Sequence, residues 1–197
     1  MLREFQEEIE NCQKCSLGRS RTNLVFGTGD EKAKIIFVGE APGYYEDQKG
    51  EPFVGAAGKL LTGLLEKIGL KRSDVYIANV LKCRPPENRN PSPEEIEACK
   101  PYLLKQIEII KPKVVCTLGN FATQTILGKK VPITKVKARP AQVKDFLVFP
   151  LYHPAAALHQ GWMRGPLEED FYKLKDFLDS GIEPEPVIED PEQLDLF

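Results

Sequence analysis

The 197-residue sequence predicts an α/β fold, with three layers (α/β/α) around a central parallel sheet of four strands. Two observations carry this expectation. Four short, largely apolar runs, at residues 34–38, 75–80, 114–118 and 146–151, are rich in β-branched and aromatic side chains, and Gly39 and Gly119 close the first and third. The first is continuously apolar rather than alternating, as a strand buried on both faces is. The segments between them carry helical periodicity, and parallel strands need such crossover connections.

In chain order, residues 2–11 read as a short amphipathic helix with Leu2, Phe5 and Ile9 on one face. The first strand ends at Gly39, and a loop rich in Gly, Pro and acids runs to about residue 56. Leu60, Leu61, Leu64, Leu65 and Ile68 mark a helix over 57–68, stopped by Gly69. After the second strand comes a polar loop at 83–91. Ser92-Pro93-Glu94-Glu95 then supplies an N-cap, a proline at the first helical position and a capping-box glutamate, starting a helix to about residue 110. The third strand leads into a short helix ending near Leu127. The fourth leads to His153-Pro154 and a further helical stretch, and residues 167–178 form a last helix.

Composition narrows the class. Hydrophobic residues make up 42% and charged residues 28%, in the range of one globular domain. No apolar run approaches the ~20 residues of a membrane span, and no apolar leader follows Met1, so a cytoplasmic monomer without membrane contact is expected. The net charge of −2 hides an asymmetry. Residues 183–197 hold six acids and no Lys or Arg, which leaves 27 basic against 23 acidic side chains in the body, a balance that suits a polyanionic partner. Beyond Gly181, Pro184, Pro186 and Pro191 interrupt a stretch without periodicity, so 1–181 are expected to form the domain and 182–197 a flexible tail.

Five cysteines without a leader argue against a disulfide framework. Cys116 lies inside an apolar strand. Cys12-x-x-Cys15, Cys83 and Cys99 remain, and four thiolates hold either zinc or a [4Fe–4S] cluster. One Cys-x-x-Cys knuckle with two isolated cysteines favours the cluster over a zinc ribbon. Ligand sites in parallel α/β sheets lie beyond the carboxyl ends of the strands. Three polar signals fall there: Gly39-Glu40-Ala41-Pro42-Gly43, Asn79 and His153.

The motif Gly39-Glu40-Ala41-Pro42-Gly43 resembles the first motif of the uracil-DNA glycosylase superfamily. Four more matches follow in the family's order: residues 51–58 around Phe53, residues 79–86 from Asn79 through Cys83 to Pro86, Asn88-Arg89-Asn90-Pro91, and His153-Pro154-Ala155-Ala156-Ala157. With the four cysteines they resemble the family 4 enzymes, across roughly residues 10–178. The resemblance implies a DNA-repair glycosylase that flips uracil out of DNA, hydrolyses its N-glycosidic bond and leaves an abasic site. It also implies one [4Fe–4S] cluster on Cys12, Cys15, Cys83 and Cys99, in a structural role. Phe53 would stack on the flipped base, Asn79 would read its edge, and His153 would donate to uracil O2 as charge develops there. Glu40, Ala41 and Pro42 would line the pocket. Tyr44 or Tyr45 would exclude the thymine methyl.

Ala41 stands where family 1 enzymes place a water-activating aspartate, so Glu40, Glu46 and Asp47 compete for that role, and Glu40 is favoured. The segment from Ala155 to Arg164 would enter the minor groove, and Lys82, Arg84, Arg89, Lys135, Lys137 and Arg139 are candidate phosphate contacts. His159 is expected on the surface. A non-hydrolytic iron–sulfur or zinc module of the same fold is the competing class. Finally, Gln193-Leu194-Asp195-Leu196-Phe197 resembles the pentapeptide by which bacterial repair proteins dock on the sliding clamp.

Overall fold

The computed structural model describes residues 1–180, so the acidic tail and its clamp-like pentapeptide, residues 193–197, lie outside the described residues. The elements run α1 (Leu2–Ile9), α2 (Leu17–Ser20), β1 (Thr28–Gly29), β2 (Ile35–Gly39), α3 (Tyr44–Lys49), α4 (Ala56–Lys67), β3 (Tyr76–Asn79), α5 (Pro93–Ile110), β4 (Val114–Leu118), α6 (Asn120–Leu127), α7 (Ile133–Val136), β5 (Ala141–Val143), β6 (Phe146–Leu151), α8 (Pro154–His159) and α9 (Arg164–Ser180). Among the described residues no helix is long and apolar enough to cross a membrane.

The strands form one sheet in the order β1-β3-β2-β4-β6-β5. The four central strands, β3-β2-β4-β6, are parallel and are the four expected from the sequence. Two short antiparallel strands extend that sheet at its edges, β1 against β3 and β5 against β6. The β5–β6 pair is a hairpin closed by Lys144 and Asp145, with Lys144 at φ +47° as a tight turn requires.

Alternation along the parallel strands divides the core. Ile36, Val38, Ala78, Val115 and Val148 face one layer, where they pack with Leu2, Phe5 and Ile9 of α1 and Leu103 and Ile107 of α5. Ile35, Phe37, Ile77, Cys116 and Phe149 face the other, against Leu61, Leu64 and Leu65 of α4 and Phe171, Leu174 and Phe177 of α9. Phe37 stacks on Phe171 with ring centroids 6.1 Å apart. Cys116 is fully buried in this second layer, as its apolar run predicts.

The start of α5 follows the sequence signals. Glu95 N donates to Ser92 Oγ at 3.3 Å, and Ser92 N donates to the Glu95 carboxylate at 2.9 Å. Arg89 adds a two-pronged ion pair to the same carboxylate, at 2.9 and 2.6 Å, which fixes the 83–91 loop to the helix it precedes.

One buried charge ties the two layers' periphery. Asp170 on α9 has no exposed surface and accepts two hydrogen bonds from Lys137 Nζ, at 2.8 and 3.0 Å, with Lys173 at 3.9 Å. Lys137 is therefore a structural partner rather than a phosphate contact. Lys137→Met should cost about 3 kcal/mol in guanidinium unfolding, because it strips the carboxylate of its nearest cation. Adding Asp170→Leu should recover most of that loss. Full stability in Lys137→Met would mean that Lys173 replaces it.

Candidate active site

The carboxyl ends of β2 and β3 meet in register, Gly39 beside Asn79, and open into a cleft of about 460 Å³. Its lining includes Glu40, Ala41, Pro42, Phe53, Asn79 and His153, which brings together all six pocket residues expected from the sequence.

Asn79 is buried at the last position of β3, and its Oδ1 is a buried acceptor with no hydrogen-bond partner among the described residues. An orphaned buried acceptor costs roughly 1–3 kcal/mol, so its retention at a cleft floor points to a donor carried by a ligand. A Cβ on Gly39 would lie 2.4 Å from this oxygen and 2.7 Å from the Phe53 ring, so only glycine lets the three groups meet.

Phe53 is buried and held at φ +54°, a left-handed conformation rare for a bulky residue. It gains that position from Gly58, where any Cβ would strike the Phe53 carbonyl oxygen at 1.8 Å. The ring lies 5.7 Å from the His153 imidazole at an interplanar angle of 29°. Two flat rings thus line the same cleft as the Asn79 amide.

His153 caps α8, and its Nδ1 accepts from Ala155 N at 3.1 Å. That bond places the ring proton on Nε2, which can donate into the cleft. Burial pushes the imidazole down to about 4, with the Glu46 carboxylate pulling weakly the other way. The ring is a neutral donor at physiological pH.

The three candidate carboxylates separate cleanly. Asp47 is buried and accepts from Thr22 N at 2.9 Å and Asn23 N at 3.4 Å, a structural tie remote from the cleft lining. Glu46 lines the cleft, but its Oε1 accepts from Val54 N and Gly55 N at 3.0 and 2.9 Å and so caps the turn into α4. Glu40 lines the cleft with no side-chain hydrogen bond among the described residues, and burial raises its carboxyl above the usual range.

Other expectations are corrected. Tyr44 and Tyr45 are 51% and 63% exposed and do not line the cleft. Lys82 has no exposed surface: its Nζ donates to the Asn79 carbonyl at 2.9 Å and to Gln106 Oε1 at 2.5 Å, so it contacts no phosphate. Arg89 lines the cleft but is committed to Glu95. Lys135 and Arg139 are exposed, away from the cleft lining. His159 is exposed as expected and also reaches the cleft rim, together with Pro85, Asn88 and Asn90 of the 83–91 loop. The matches at residues 79–86 and Asn88-Arg89-Asn90-Pro91 were the sequence signals for that loop.

Cys12, Cys15, Cys83 and Cys99 line a second, small cavity together with Lys82 and Tyr102. None is in a disulfide. Positive and N–H groups face the sulfurs: Arg21 Nη1 donates to Cys83 Sγ at 3.4 Å and Lys82 N to Cys99 Sγ at 3.2 Å. Burial pushes the Cys99 thiol up to about 11, while the Lys82 charge and N–H pull it back. Four thiols around one space with cationic neighbours fit a thiolate-bound group. Among the described residues no three His, Cys, Asp or Glu side chains form a group able to hold a single metal ion.

The sequence profile of the uracil DNA glycosylase superfamily matches residues 26–174. A type-4 uracil-DNA glycosylase of Archaeoglobus fulgidus is 52% identical over 181 residues, 88% of this chain and 91% of that protein. Those of Sulfurisphaera tokodaii and Thermotoga maritima are 51% and 48% identical, over 89% and 87% of this chain and 84% and 92% of their own lengths. The strand-end cleft and the four-cysteine cavity thus sit in a chain that belongs to the uracil DNA glycosylase superfamily, among its type-4 members.

Proposed function

We propose that the cleft excises uracil from DNA by hydrolysing its N-glycosidic bond, and the observation that carries this reading is the orphaned Asn79 Oδ1 in a cleft that the Phe53 and His153 rings also line. A flipped base lying against Phe53 presents its edge to Asn79. The amide oxygen accepts from N3–H of uracil and the amide nitrogen donates to O4, a pairing that the amine of cytosine does not match. His153 Nε2–H donates to O2. As the C1′–N1 bond breaks, the electron pair passes to the base and that oxygen gains charge, which a neutral preorganised donor stabilises. Glu40 is the carboxylate free to orient the water whose oxygen adds to C1′; it takes the proton that water loses, which the departing uracil anion then recovers, and its negative charge favours the cationic sugar.

The proposal extends to a [4Fe–4S] cluster held by Cys12, Cys15, Cys83 and Cys99, the four that share one cavity. When bound, it supplies a covalent tie between the N-terminal segment, the 81–91 loop and α5, and no step of the hydrolysis passes through it. Anaerobically purified protein should carry about four irons per chain. Cys99→Ser should bleach it, and Cys116→Ser, buried in the other core layer, should not. Bleaching by Cys116→Ser alone would overturn the ligand set.

Incubation with a uracil-containing oligonucleotide, followed by alkaline cleavage, tests the reaction. Asn79→Ala and His153→Ala should each lower the single-turnover rate by ~10²–10³ while circular dichroism is retained. Asn79→Asp should shift excision toward cytosine, whose exocyclic amine can donate to the carboxylate. Unchanged rates in both alanine variants would remove the site from these strand ends.

Two histidines make the protonation state directly readable by NMR. The His153 ring should stay the neutral Nε2–H tautomer from pH 8 down toward about 4. Because the folded value lies below the unfolded 6.5, His153's contribution to stability is complete above pH 6.5 and is lost as pH falls toward about 4. A His153 titration near 6.5 would refute the neutral-donor assignment.

A further inference from the structure

Among the described residues, the large apolar side chains left exposed are Met1, Tyr44, Tyr45, Leu158, Trp162 and Tyr172. Four of these six flank the cleft. Leu158 and Trp162 follow Ala155 on one side, in the segment that resembles a minor-groove element. Tyr44 and Tyr45 stand on the other, between Gly43 and Glu46, which both line the cleft. The hydrolytic chemistry leaves this second side without a role.

Its geometry is built rather than frayed. Tyr44 and Tyr45 open α3 and meet edge to face, with centroids 5.5 Å apart at 80°. The Arg84 guanidinium lies over the Tyr44 ring at 5.1 Å, and its Nε donates to Asn88 Oδ1 at 2.8 Å. Asp47 anchors the same helix to the backbone of Thr22 and Asn23. The rings are thus held in place before any partner arrives, which reduces the entropy lost on binding.

Charge identifies the partner. Arg89, the neighbouring cation on this loop, is neutralised by Glu95. Arg84 is held by a neutral amide and pairs with no carboxylate among the described residues, so its charge is available to a phosphate. Exposed aromatic faces beside an available guanidinium suit a nucleotide, whose base stacks while its phosphate is paired. A base can use such a face only when it is not already stacked and paired in a duplex.

We propose that Tyr44, Tyr45 and Arg84 form a stacking lip that holds the unpaired base next to the uracil in single-stranded DNA, with Arg84 on the intervening phosphate. This deepens the uracil-excision reading and rests on it for the position of the flipped nucleotide. The lip gives the chain a preference for single strands over duplexes.

The test is fluorescence anisotropy of a labelled single-stranded oligonucleotide carrying a tetrahydrofuran abasic analogue in place of the uracil nucleotide, beside its matched duplex. Tyr44→Ala/Tyr45→Ala should weaken single-strand binding roughly 5- to 150-fold, the range for one lost base–aromatic stack, and weaken duplex binding by no more than about twofold. Tyr44→Phe/Tyr45→Phe should keep the affinity, since stacking needs the ring and not the hydroxyl. Arg84→Gln should flatten the salt dependence by roughly one phosphate contact. Unchanged single-strand affinity in the double alanine variant, equal loss on the duplex, or phenylalanines as weak as alanines would each overturn the lip. The probe contains no base to excise, so a wild-type chain that binds it yet releases no uracil from a separate uracil-containing oligonucleotide sinks the functional reading and leaves the lip standing.

Discussion

The whole cleft depends on the missing side chain at Gly39. Parallel pairing sets this residue beside Asn79, and the space a methyl group would fill is taken by the Asn79 amide oxygen and the edge of Phe53. With alanine there, one of those groups would have to leave, and each has a reason to be held. Asn79 ends a buried central strand, so its Cα is not free to shift. Phe53 sits in a left-handed conformation that its surroundings must maintain. Glu46 contributes by accepting from Val54 N and Gly55 N immediately after Phe53, which locks the turn into α4. A single small residue at a strand end therefore brings an amide, a stacking ring and a histidine within one base-sized space.

The thiolate cavity and the base pocket are joined by the short segment 79–83. Asn79 faces the cleft, Cys83 faces the second cavity, and Lys82 between them turns its ammonium inward to the Asn79 carbonyl and Gln106. Gln106 in turn donates to the Phe26 carbonyl at 2.9 Å and to Tyr76 Oη at 3.3 Å, so the chain of polar contacts crosses the core layer under α5. A buried ammonium is costly unless its partners are complete. Burial lowers Lys82 to about 8, and the nearby Cys99 and Cys83 sulfurs oppose that drop. Lys82 therefore touches both sites, its backbone N–H donating to Cys99 Sγ and its ammonium to the Asn79 carbonyl.

The sequence made the parallel strands legible because each is a short, largely apolar run. The capping box at Ser92–Glu95 was legible because its two hydrogen bonds need two specific residue types at fixed spacing. What escaped was short or contextual. β1 and β5 have two and three residues, and α2 and α7 only four each, too few to show a period. The loop to residue 56 hides α3, whose first residues are the exposed tyrosines. Lys82 and Lys137 read as surface cations because nothing local announces a buried amide or carboxylate supplied from 24 or 33 residues away. Asp47, Glu46 and Glu40 look alike in sequence, and only their hydrogen-bond partners separate a structural tie, a cap and a carboxylate left open to the cleft.

Charge in the cleft follows a logic that net charge conceals. The +4 balance of the body does not say where charge meets DNA: Arg89 and Lys137 are matched by Glu95 and Asp170, and Lys82 is buried. The cleft itself holds Glu40 and Glu46, with Arg89 cancelled by Glu95 and His153 neutral. Such a floor repels phosphate and favours a sugar that becomes cationic as its base departs. A negative floor would be a poor place to gain affinity for a polyanion. On the proposed lip, affinity comes from the rim, where stacking carries no charge penalty and Arg84 pairs with no carboxylate among the described residues. Acidic depth for the chemistry and aromatic, basic edges for the strand are two solutions to one electrostatic conflict.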